Sequence, residues 1–295
     1  KEMGWAVGGR ILMTTKKKKL ISIVDTSNKI INKNQIIVSE IIYKKLNLKS
    51  NQKVEITPAE KPRSIELIKK KLKGKKLTEK EIKEIINNIA NNSLTEIEVA
   101  FFVSAIHDEG MDMDETKALT QAMVNSGKQL RLSGKVADKH CIGGVPNNRT
   151  TILITPIVAA AGITMPKTSS RSITSPSGTA DTMEVLSDIS FNTNQMKKII
   201  KKTNACMVWN EGMEITGADS KLIKIRHPLR LDPPGLMIAS ILAKNSAVGA
   251  THLLLDIPIG KYAKVKTKKE AKILKKRFEK ISKILKIKIK VIITD

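Results

Sequence analysis

The sequence predicts an α/β fold, in which a helical unit and a mostly parallel α/β unit follow a small β-rich N-terminal unit. Short β-branched segments lie between residues 20 and 57, and apolar residues recur at helical spacing between residues 77 and 123. From about residue 134, apolar strand segments alternate with helices, which is typical of a parallel sheet covered by helices. The chain has 295 residues, more than one average domain holds, so it has room for all three units.

Strands are predicted in the N-terminal unit at Ile21–Val24, Gln35–Val38 and Lys53–Ile56, because these short segments are rich in β-branched residues. Asparagines interrupt the chain between the first two strands. A short helix is predicted between the last two, at Glu40–Leu46. The unit ends at a turn over Pro58–Pro62.

Three helices are predicted in the next unit. Isoleucines recur at helical spacing in the first helix, which begins near Leu77. Ser93, with Glu96 three residues later, forms a capping-box pattern that opens the second helix. Asp112–Asp114 opens the third helix, which runs through Met123. The predicted stops are Gly110 and Gly127.

The α/β unit contains both periodicities in alternation. The predicted helices cover residues 157–161, 179–186, 194–203, 234–242 and 266–285, and residues 151–154 form a short apolar segment. The predicted strands cover residues 207–208, 251–257 and 287–293. We therefore expect a mostly parallel sheet with helices covering it.

The chain is strongly basic, with 53 Lys and Arg against 28 Asp and Glu, a net charge of +25. Such a charge attracts anions, including nucleic acid, anionic membranes and phosphorylated small molecules. Most of the excess is Lys spread along the whole chain, which favours solvated surfaces over one binding face. Aromatic residues make up only 3% of the chain, which leaves little for base stacking on single-stranded nucleic acid.

Cysteine content and hydropathy predict a cytoplasmic protein. Cys141 and Cys206 form no CxxC pattern and no disulfide framework, which fits a reducing compartment. The sequence contains no run of about 20 apolar residues, so we expect no transmembrane helix. Residues 1–13 have charges and glycines but no long apolar core, so we expect no signal peptide.

The first candidate site segment has the sequence DKHCIGGVPNNRTT. Gly143 and Gly144 allow a backbone to approach a ligand closely, and their N–H groups can point at an anion. Lys139, His140 and Thr151 add side-chain donors. These residues predict an anion site, and a plain turn with an unrelated His is the alternative.

The second candidate segment, KTSSRSITSPSGTAD, crowds hydroxyl residues around Arg171, just before a predicted helix that begins at Thr179. Hydroxyls, a helix N-terminus and an Arg are groups that bind phosphate or sugar hydroxyls. A solvated Ser-rich loop is the alternative. Arg171 and the helix entry at Gly178 favour a ligand loop.

The third candidate segment, RHPLRLDPPGLMIASILAK, places Asp232 before two prolines at the start of a predicted helix. Ser240 and Lys244 are four residues apart, so they share one face of that helix. Taken singly, each residue also has a structural explanation. Asp232 fits a helix cap, Ser240 a small packing residue and Lys244 a solvated helix end.

Together, the three segments resemble the thymidine and pyrimidine nucleoside phosphorylase family, through the ordered motifs DKH-x-x-GGV, P-x-x-S-x-R-x6-GTxD and ASILAK. The resemblance is closer to the archaeal-type AMP phosphorylase branch, through GGVP-x-N, KTSSRSITSPSGTAD, MVW, LDP and DIPIG-x-x-AKVK. The segments INKNQI and AEKPRSI also resemble the extra N-terminal β domain of that branch. The resemblance covers about residues 20 to 295.

The resemblance implies a nucleoside phosphorylase-like fold, with the site in a cleft between a helical domain and an α/β domain. We therefore predict an N-terminal β-rich domain at 1–66, a helical domain at 67–130 joined by 225–247, and an α/β domain formed by 131–224 and 248–295. The family continues well beyond the last residue of this sequence. We therefore expect an incomplete α/β domain and an N-terminal domain without its opening strands.

The resemblance also implies the reaction. Members cleave the N-glycosidic bond of a nucleoside 5′-monophosphate with orthophosphate, so that AMP gives adenine and ribose 1,5-bisphosphate, and CMP and UMP also react. Orthophosphate is a co-substrate, and no cofactor is expected. The expected partners are the nucleotide, orthophosphate and further copies of the chain in a homodimer or larger oligomer, without nucleic acid or membrane.

Residue roles follow from matching the family's motifs. Asp232, in the LDP motif, matches the family's proton donor, and a donor must hold its proton, which burial favours. The implied AMP contacts are Gly144, Ser170, Arg171, Ser172, Ile173, Thr174, Ser175, Thr179, Ser240 and Lys264. The implied phosphate contacts are Lys139, His140, Thr151, Ser169 and Lys244, and Thr179 overlaps with them. No metal ligands are implied.

The chain departs from the family pattern at three places. Cys141 stands where Ser is common, and a thiol is a poor hydrogen-bond donor. Asn147 follows Pro146 where the AMP branch usually has Gly, which changes how closely the loop can approach a ligand. The Arg that relatives place before the LDP helix corresponds to either Arg226 or Arg230.

Two other functions stay open at this point. A pyrimidine nucleoside phosphorylase would keep the site but take an unphosphorylated nucleoside such as thymidine or uridine. A non-catalytic basic protein that binds nucleic acid would explain the charge, but the sequence has no RNP, zinc or helix-turn-helix signature. Release of free base from AMP, uridine or thymidine, with and without orthophosphate, separates the three functions.

Overall fold

A computed structural model describes residues 7–25, 27, 30, 32, 34–143, 145, 149–171, 177–209, 217–229 and 231–295. The strands are β1 (Arg10–Thr14), β2 (Lys19–Ile23), β3 (Glu55–Pro58), β4 (Ala137–Cys141), β5 (Met165–Ser169), β6 (Ala205–Trp209), β7 (His252–Pro258) and β8 (Lys288–Thr294). The helices are α1 (Glu40–Leu46), α2 (Ser64–Leu72), α3 (Glu79–Ala90), α4 (Glu96–Glu109), α5 (Met113–Asn125), α6 (Thr150–Ala160), α7 (Thr179–Glu184), α8 (Thr193–Thr203), α9 (Gly217–Arg226), α10 (Pro234–Ala247) and α11 (Lys268–Ile284).

The N-terminal unit is an antiparallel sheet in the order β2-β1-β3, with α1 packed beside it. Helix α1 has the predicted bounds, because Ser39 caps its first turn and Asn47 ends it in the left-handed region. The predicted strand at Gln35–Val38 is wrong. Its Ile36 and Ile37 side chains are exposed, and no described strand pairs with it. Strand β1 was not predicted, since the turn that joins it to β2 has neither Gly nor Asn.

The helical unit is built from α2 to α5 and α9 around a core of Ile, Leu and Phe side chains. The predicted capping box of the second helix is wrong by two residues. The N-cap is Thr95 instead of Ser93, and Thr95 and Glu98 bond reciprocally to each other's backbone N–H. Two overlapping Ser/Thr-x-x-Glu patterns occur here, and the helix begins at the second.

The α/β unit has parallel strands in the orders β4-β7-β8 and β5-β6, which confirms the predicted parallel pairing. A bridge between Val136 and Thr164 brings β4 next to β5. Neither of these two strands was predicted, because their sequences, ADKHC and MPKTS, are too polar for a buried strand. The carboxyl ends of parallel strands lie at one edge of a sheet, where α/β proteins bind ligands.

Helix α10 lies between the two larger units and packs into both. Its Leu236, Ala239 and Ala243 side chains belong to the core of the helical unit. Its Ile238 and Leu242 side chains belong to the core of the α/β unit. The domain boundaries stay a prediction, but α10 ties the two cores together along 14 residues.

No described helix is both long enough and apolar enough to cross a membrane.

Candidate active site

A cleft of about 1120 Å³ lies where β4 and β5 end, bounded by α6, α7, α10, α11 and the segment after β7. Its described lining is strongly cationic. The Lys and Arg side chains are Lys139, Arg149, Lys167, Arg171, Arg226, Lys244, Lys264 and Arg277. The acidic side chains in the same lining are Asp232 and Glu270. A concave site with this charge balance attracts anionic ligands.

Lys139, one of the predicted phosphate contacts, reaches the start of α6, where Thr151, another of them, also lines the cleft. The buried Lys139 ammonium donates to Thr150 Oγ1 at 2.8 Å and lies 3.9 Å from Asp256 Oδ2. Burial lowers the pKa of Lys139, and nearby Asp256 opposes the shift. The first turn of α6 adds backbone N–H groups to this corner, which together with an ammonium suit an anion.

Lys167 is a site residue that the sequence analysis missed. Its ammonium donates to Asp138 Oδ1 at 2.9 Å and to the Lys139 carbonyl at 2.7 Å, so it ties β5 to β4. Burial raises the pKa of Asp138, and the Lys167 charge opposes that rise. The sequence signal was weak, a single Lys in the short segment Met165–Thr168. Only the fold shows that this segment is buried.

His140 is held in its neutral form. Burial lowers its pKa well below the usual range, and the charges of four lysines lower it further, in the order Lys167, Lys244, Lys139 and Lys264. A neutral imidazole can donate one hydrogen bond to an anion but adds no positive charge.

Cys141, at the end of β4, stays a thiol. Burial raises its pKa, and its sulfur accepts from the Gly143 N–H at 3.4 Å. Cys141 therefore packs at the cleft wall as a weakly polar group, in a position where the family commonly has Ser.

The hydroxyl-rich segment contributes Ser169 and Ser170 at the end of β5 and Thr179 at the start of α7, and all three line the cleft. Gly144 and Ser172–Ser175, predicted as AMP contacts, lie outside the described residues.

Arg171 lines the cleft but is engaged by two acids of helix α7. Its guanidinium contacts both carboxylate oxygens of Glu184 and lies 3.2 Å from Asp181 Oδ1. Its other face lies 4.7 Å from the centre of the Trp209 ring. The two acids raise the pKa of Arg171, so it stays a cation.

Ser240 and Lys244 lie on one face of α10, as predicted. The Lys244 ammonium donates to the buried Ser240 hydroxyl at 3.0 Å. It also lies 2.9 Å from Oδ2 of Asp219, an acid on α9 that the sequence analysis did not identify. Asp219 is absent from every motif, and its only signal was an acid in the first turn of a weakly amphipathic helix.

Asp232 lies just before α10 and is held by two cations. Its carboxylate accepts from the Arg226 guanidinium at one oxygen and from the Lys264 ammonium, at 2.6 Å, at the other. Its side chain is 24% exposed, so burial is incomplete. Of the two arginines that the motif left open, Arg226 contacts Asp232, and Arg230 lies outside the described residues.

Within the part of the chain that the structure describes, no group of three His, Cys, Asp or Glu side chains could hold a metal ion.

Family models match two parts of this chain. The helical bundle domain of a glycosyl transferase family matches residues 65–127, and the α/β domain of the same family matches residues 133–276. The two matches together span well over half of the chain. The chain belongs to this glycosyl transferase family. The predicted fold class, a helical part followed by an α/β part, is confirmed.

Curated relatives within this glycosyl transferase family include archaeal AMP phosphorylases. The AMP phosphorylase of Methanocaldococcus jannaschii is 42% identical over 94% of this chain and 55% of its own length. The AMP phosphorylase of Thermococcus kodakarensis is 43% identical over 94% of this chain and 55% of its own length. AMP phosphorylase 1 of Archaeoglobus fulgidus is 38% identical over 99% of this chain and 58% of its own length. The predicted resemblance to archaeal AMP phosphorylases is confirmed, and the chain spans a little over half the length of these relatives.

A solved structure shares the fold of this family member. Anthranilate phosphoribosyltransferase (TrpD) from Thermus thermophilus aligns with a TM-score of 0.60 at 19% identity. The alignment covers 73% of this chain and 63% of that one. At this identity the likeness concerns the fold alone.

Proposed function

We propose that this chain binds a nucleoside 5′-monophosphate and orthophosphate and catalyses phosphorolysis, so that AMP and phosphate give adenine and ribose 1,5-bisphosphate. CMP and UMP are the further substrates we propose. The observation that carries this proposal is the cleft in which eight described Lys and Arg side chains face two carboxylates. Two phosphate-bearing substrates need such a surplus of positive charge, and the archaeal relatives carry the name AMP phosphorylase.

We assign the attacking orthophosphate to the corner formed by Lys139, Thr151 and Ser169, with His140 as a neutral donor and Lys244 at its edge. The nucleotide takes the hydroxyl-rich loop with Arg171 and Thr179, together with Ser240 and Lys264. An oxygen of orthophosphate forms a bond to C1′ while the C1′–N bond breaks. The electron pair of the C1′–N bond goes to the leaving base. Fixed donors and cations stabilise the charge that develops in this step.

Asp232 is the acid that we propose for protonating the leaving base. Its carboxylate accepts from Lys264 at 2.6 Å, and Lys264 is also a proposed contact of the nucleotide. A bound 5′-phosphate therefore competes with Asp232 for one ammonium.

Base release tests the proposal directly. Purified chain is incubated with AMP, CMP, UMP, uridine or thymidine, each with and without orthophosphate, and free base is measured by chromatography. We expect release from the 5′-monophosphates only when orthophosphate is present. Equal or faster release from uridine or thymidine would make the chain a nucleoside phosphorylase, and no release from any compound would remove the enzymatic proposal.

Cytoplasmic location and a homodimeric or larger assembly stay predictions. Sedimentation of the purified chain over a concentration series tests the second.

A further inference from the structure

The lysines around His140 are each backed by a carboxylate. Four lysines lower the pKa of this His, and among the described residues each has an acid behind it. The nitrogen-to-oxygen distances are 3.9 Å for Lys139 and Asp256, 2.9 Å for Lys167 and Asp138, 2.9 Å for Lys244 and Asp219, and 2.6 Å for Lys264 and Asp232. The four ammonium groups around His140 repel one another, so each depends on its carboxylate partner to stay in place.

Helix α9 supplies one partner to each end of α10. Asp219, in the first turn of α9, contacts Lys244 in the last turn of α10, and Arg226, at the end of α9, contacts Asp232 just before α10. The two helices therefore run antiparallel, with the charges reversed between their ends. Both α10 partners are residues that we assign to the substrates.

Asp219 is deeply buried, at 1% exposure, and the Lys244 ammonium is its ion-pair partner among the described residues. Neither carboxylate oxygen of Asp219 accepts a hydrogen bond within the described chain, so its 2.9 Å contact with Lys244 is an ion pair without hydrogen-bond geometry. A buried carboxylate is costly without a cation, so Asp219 holds Lys244 strongly. The Lys244 side chain, with four rotatable bonds, is thereby fixed beside Ser240 at the cleft.

We propose that Asp219 is a positioning residue, which holds the Lys244 ammonium in place beside Ser240 at the edge of the orthophosphate corner. This inference rests on the proposed function for its substrate. Asp219 itself does not line the cleft and acts only through Lys244.

Steady-state kinetics of Asp219→Asn test the inference. Asn keeps the shape and removes the charge. We expect KM for orthophosphate to rise about tenfold, as the loss of one charge-assisted contact typically gives, while kcat changes much less. In a Lys244→Met background, Asp219→Asn should raise KM no further. An unchanged KM, or an equal rise in both backgrounds, would overturn the proposal.

Acetylation of Lys244, followed by mass spectrometry, needs no substrate. Asp219→Asn should speed its acetylation by acetic anhydride, because the amine loses the carboxylate that holds it in place. Lys224, an exposed lysine of α9 paired with Glu96, is the internal control and should react equally in both proteins. An unchanged rate of Lys244 acetylation would overturn the positioning role, whether or not the wild-type chain releases base. Absence of base release would instead count against the proposed function.

Asp219→Glu provides a second variant if the Asn variant does not fold. It keeps the buried charge but moves it by one methylene, so we expect KM for orthophosphate to rise. An unchanged KM in this variant would also contradict the proposal.

Discussion

Lys71 and Glu115 form an ion pair sealed inside the helical unit, between α2 and α5. The Lys71 ammonium lies 2.9 Å from one carboxylate oxygen and 3.0 Å from the other, and both side chains are only 3% exposed. The Glu115 carboxylate also accepts from the backbone N–H groups of Leu77 and Asp112. We predict that Glu115→Gln destabilises the protein severely.

The expected size follows from the geometry. At 2.9 Å the attraction is about 6 kcal/mol for an effective dielectric constant of about 20. Gln keeps the volume and one acceptor but leaves the Lys71 charge buried without a partner, which typically costs about 3–5 kcal/mol. Urea denaturation followed by circular dichroism gives the change in free energy of unfolding, with the slope checked for two-state behaviour.

Lys224 and Glu96 provide a matched control, since they are also a Lys–Glu pair between two helices. Their atoms are 2.7 Å apart, but the side chains are 73% and 72% exposed. Glu96→Gln should cost no more than about 1 kcal/mol, since water screens an exposed pair. If Glu115→Gln cost as little as Glu96→Gln, burial would not be the property that makes the first pair matter, and the reasoning would fail.

Three further predictions concern single residues. Asp232→Asn should lower kcat for AMP by about 10²–10⁴-fold, the usual contribution of a positioned acid; an unchanged kcat would remove Asp232 from the mechanism. Gly249→Ala should destabilise much more than Gly162→Ala in urea denaturation. Both glycines have positive φ, but a Cβ added at Gly249 would lie 2.7 Å from the carbonyl oxygen of Leu130, whereas one added at Gly162 would meet open space. Equal losses of unfolding free energy in the two variants would refute this steric reason. Burial lowers the pKa of Lys221 to about 8, so its acetylation rate should have a midpoint near pH 8. Between pH 8 and about 10.5, Lys221 is protonated in the unfolded chain but neutral in the folded chain, so its contribution to stability should rise with pH over this range. An acetylation midpoint near pH 10.5 would contradict the lowered pKa of Lys221.

Local signals predicted the elements whose structure depends on neighbours in sequence. Helix α1 was predicted with its correct bounds, although the strand predicted just before it, Gln35–Val38, is wrong. Helix α5 was predicted from Asp112, which caps it as expected. Helix α9 was missed because its apolar residues form no clear stripe and the core around it is supplied by distant helices. Strands β4 and β5 were missed because their buried side chains are charged, and only ion pairs formed in the folded chain make that burial tolerable.

The candidate site was predictable as far as its motifs extend. Lys139, Thr151, Ser240 and Lys244 come from two of the three motif segments and line one cleft. Their counter-charges could not be predicted in this way. Asp219 belongs to no motif and reaches Lys244 only because α9, packed against α3, α4 and α5, brings its first turn to the last turn of α10.

Helix α10 has a consequence for how the protein is built and altered. Its backbone carries side chains of the helical core on one face and of the α/β core on the other. A chain cut between residues 127 and 133, where the two family matches meet, would leave the helical bundle without Leu236, Ala239 and Ala243. The helical bundle is therefore incomplete without the later α10, and substitutions on α10 must satisfy both cores and the cleft at once.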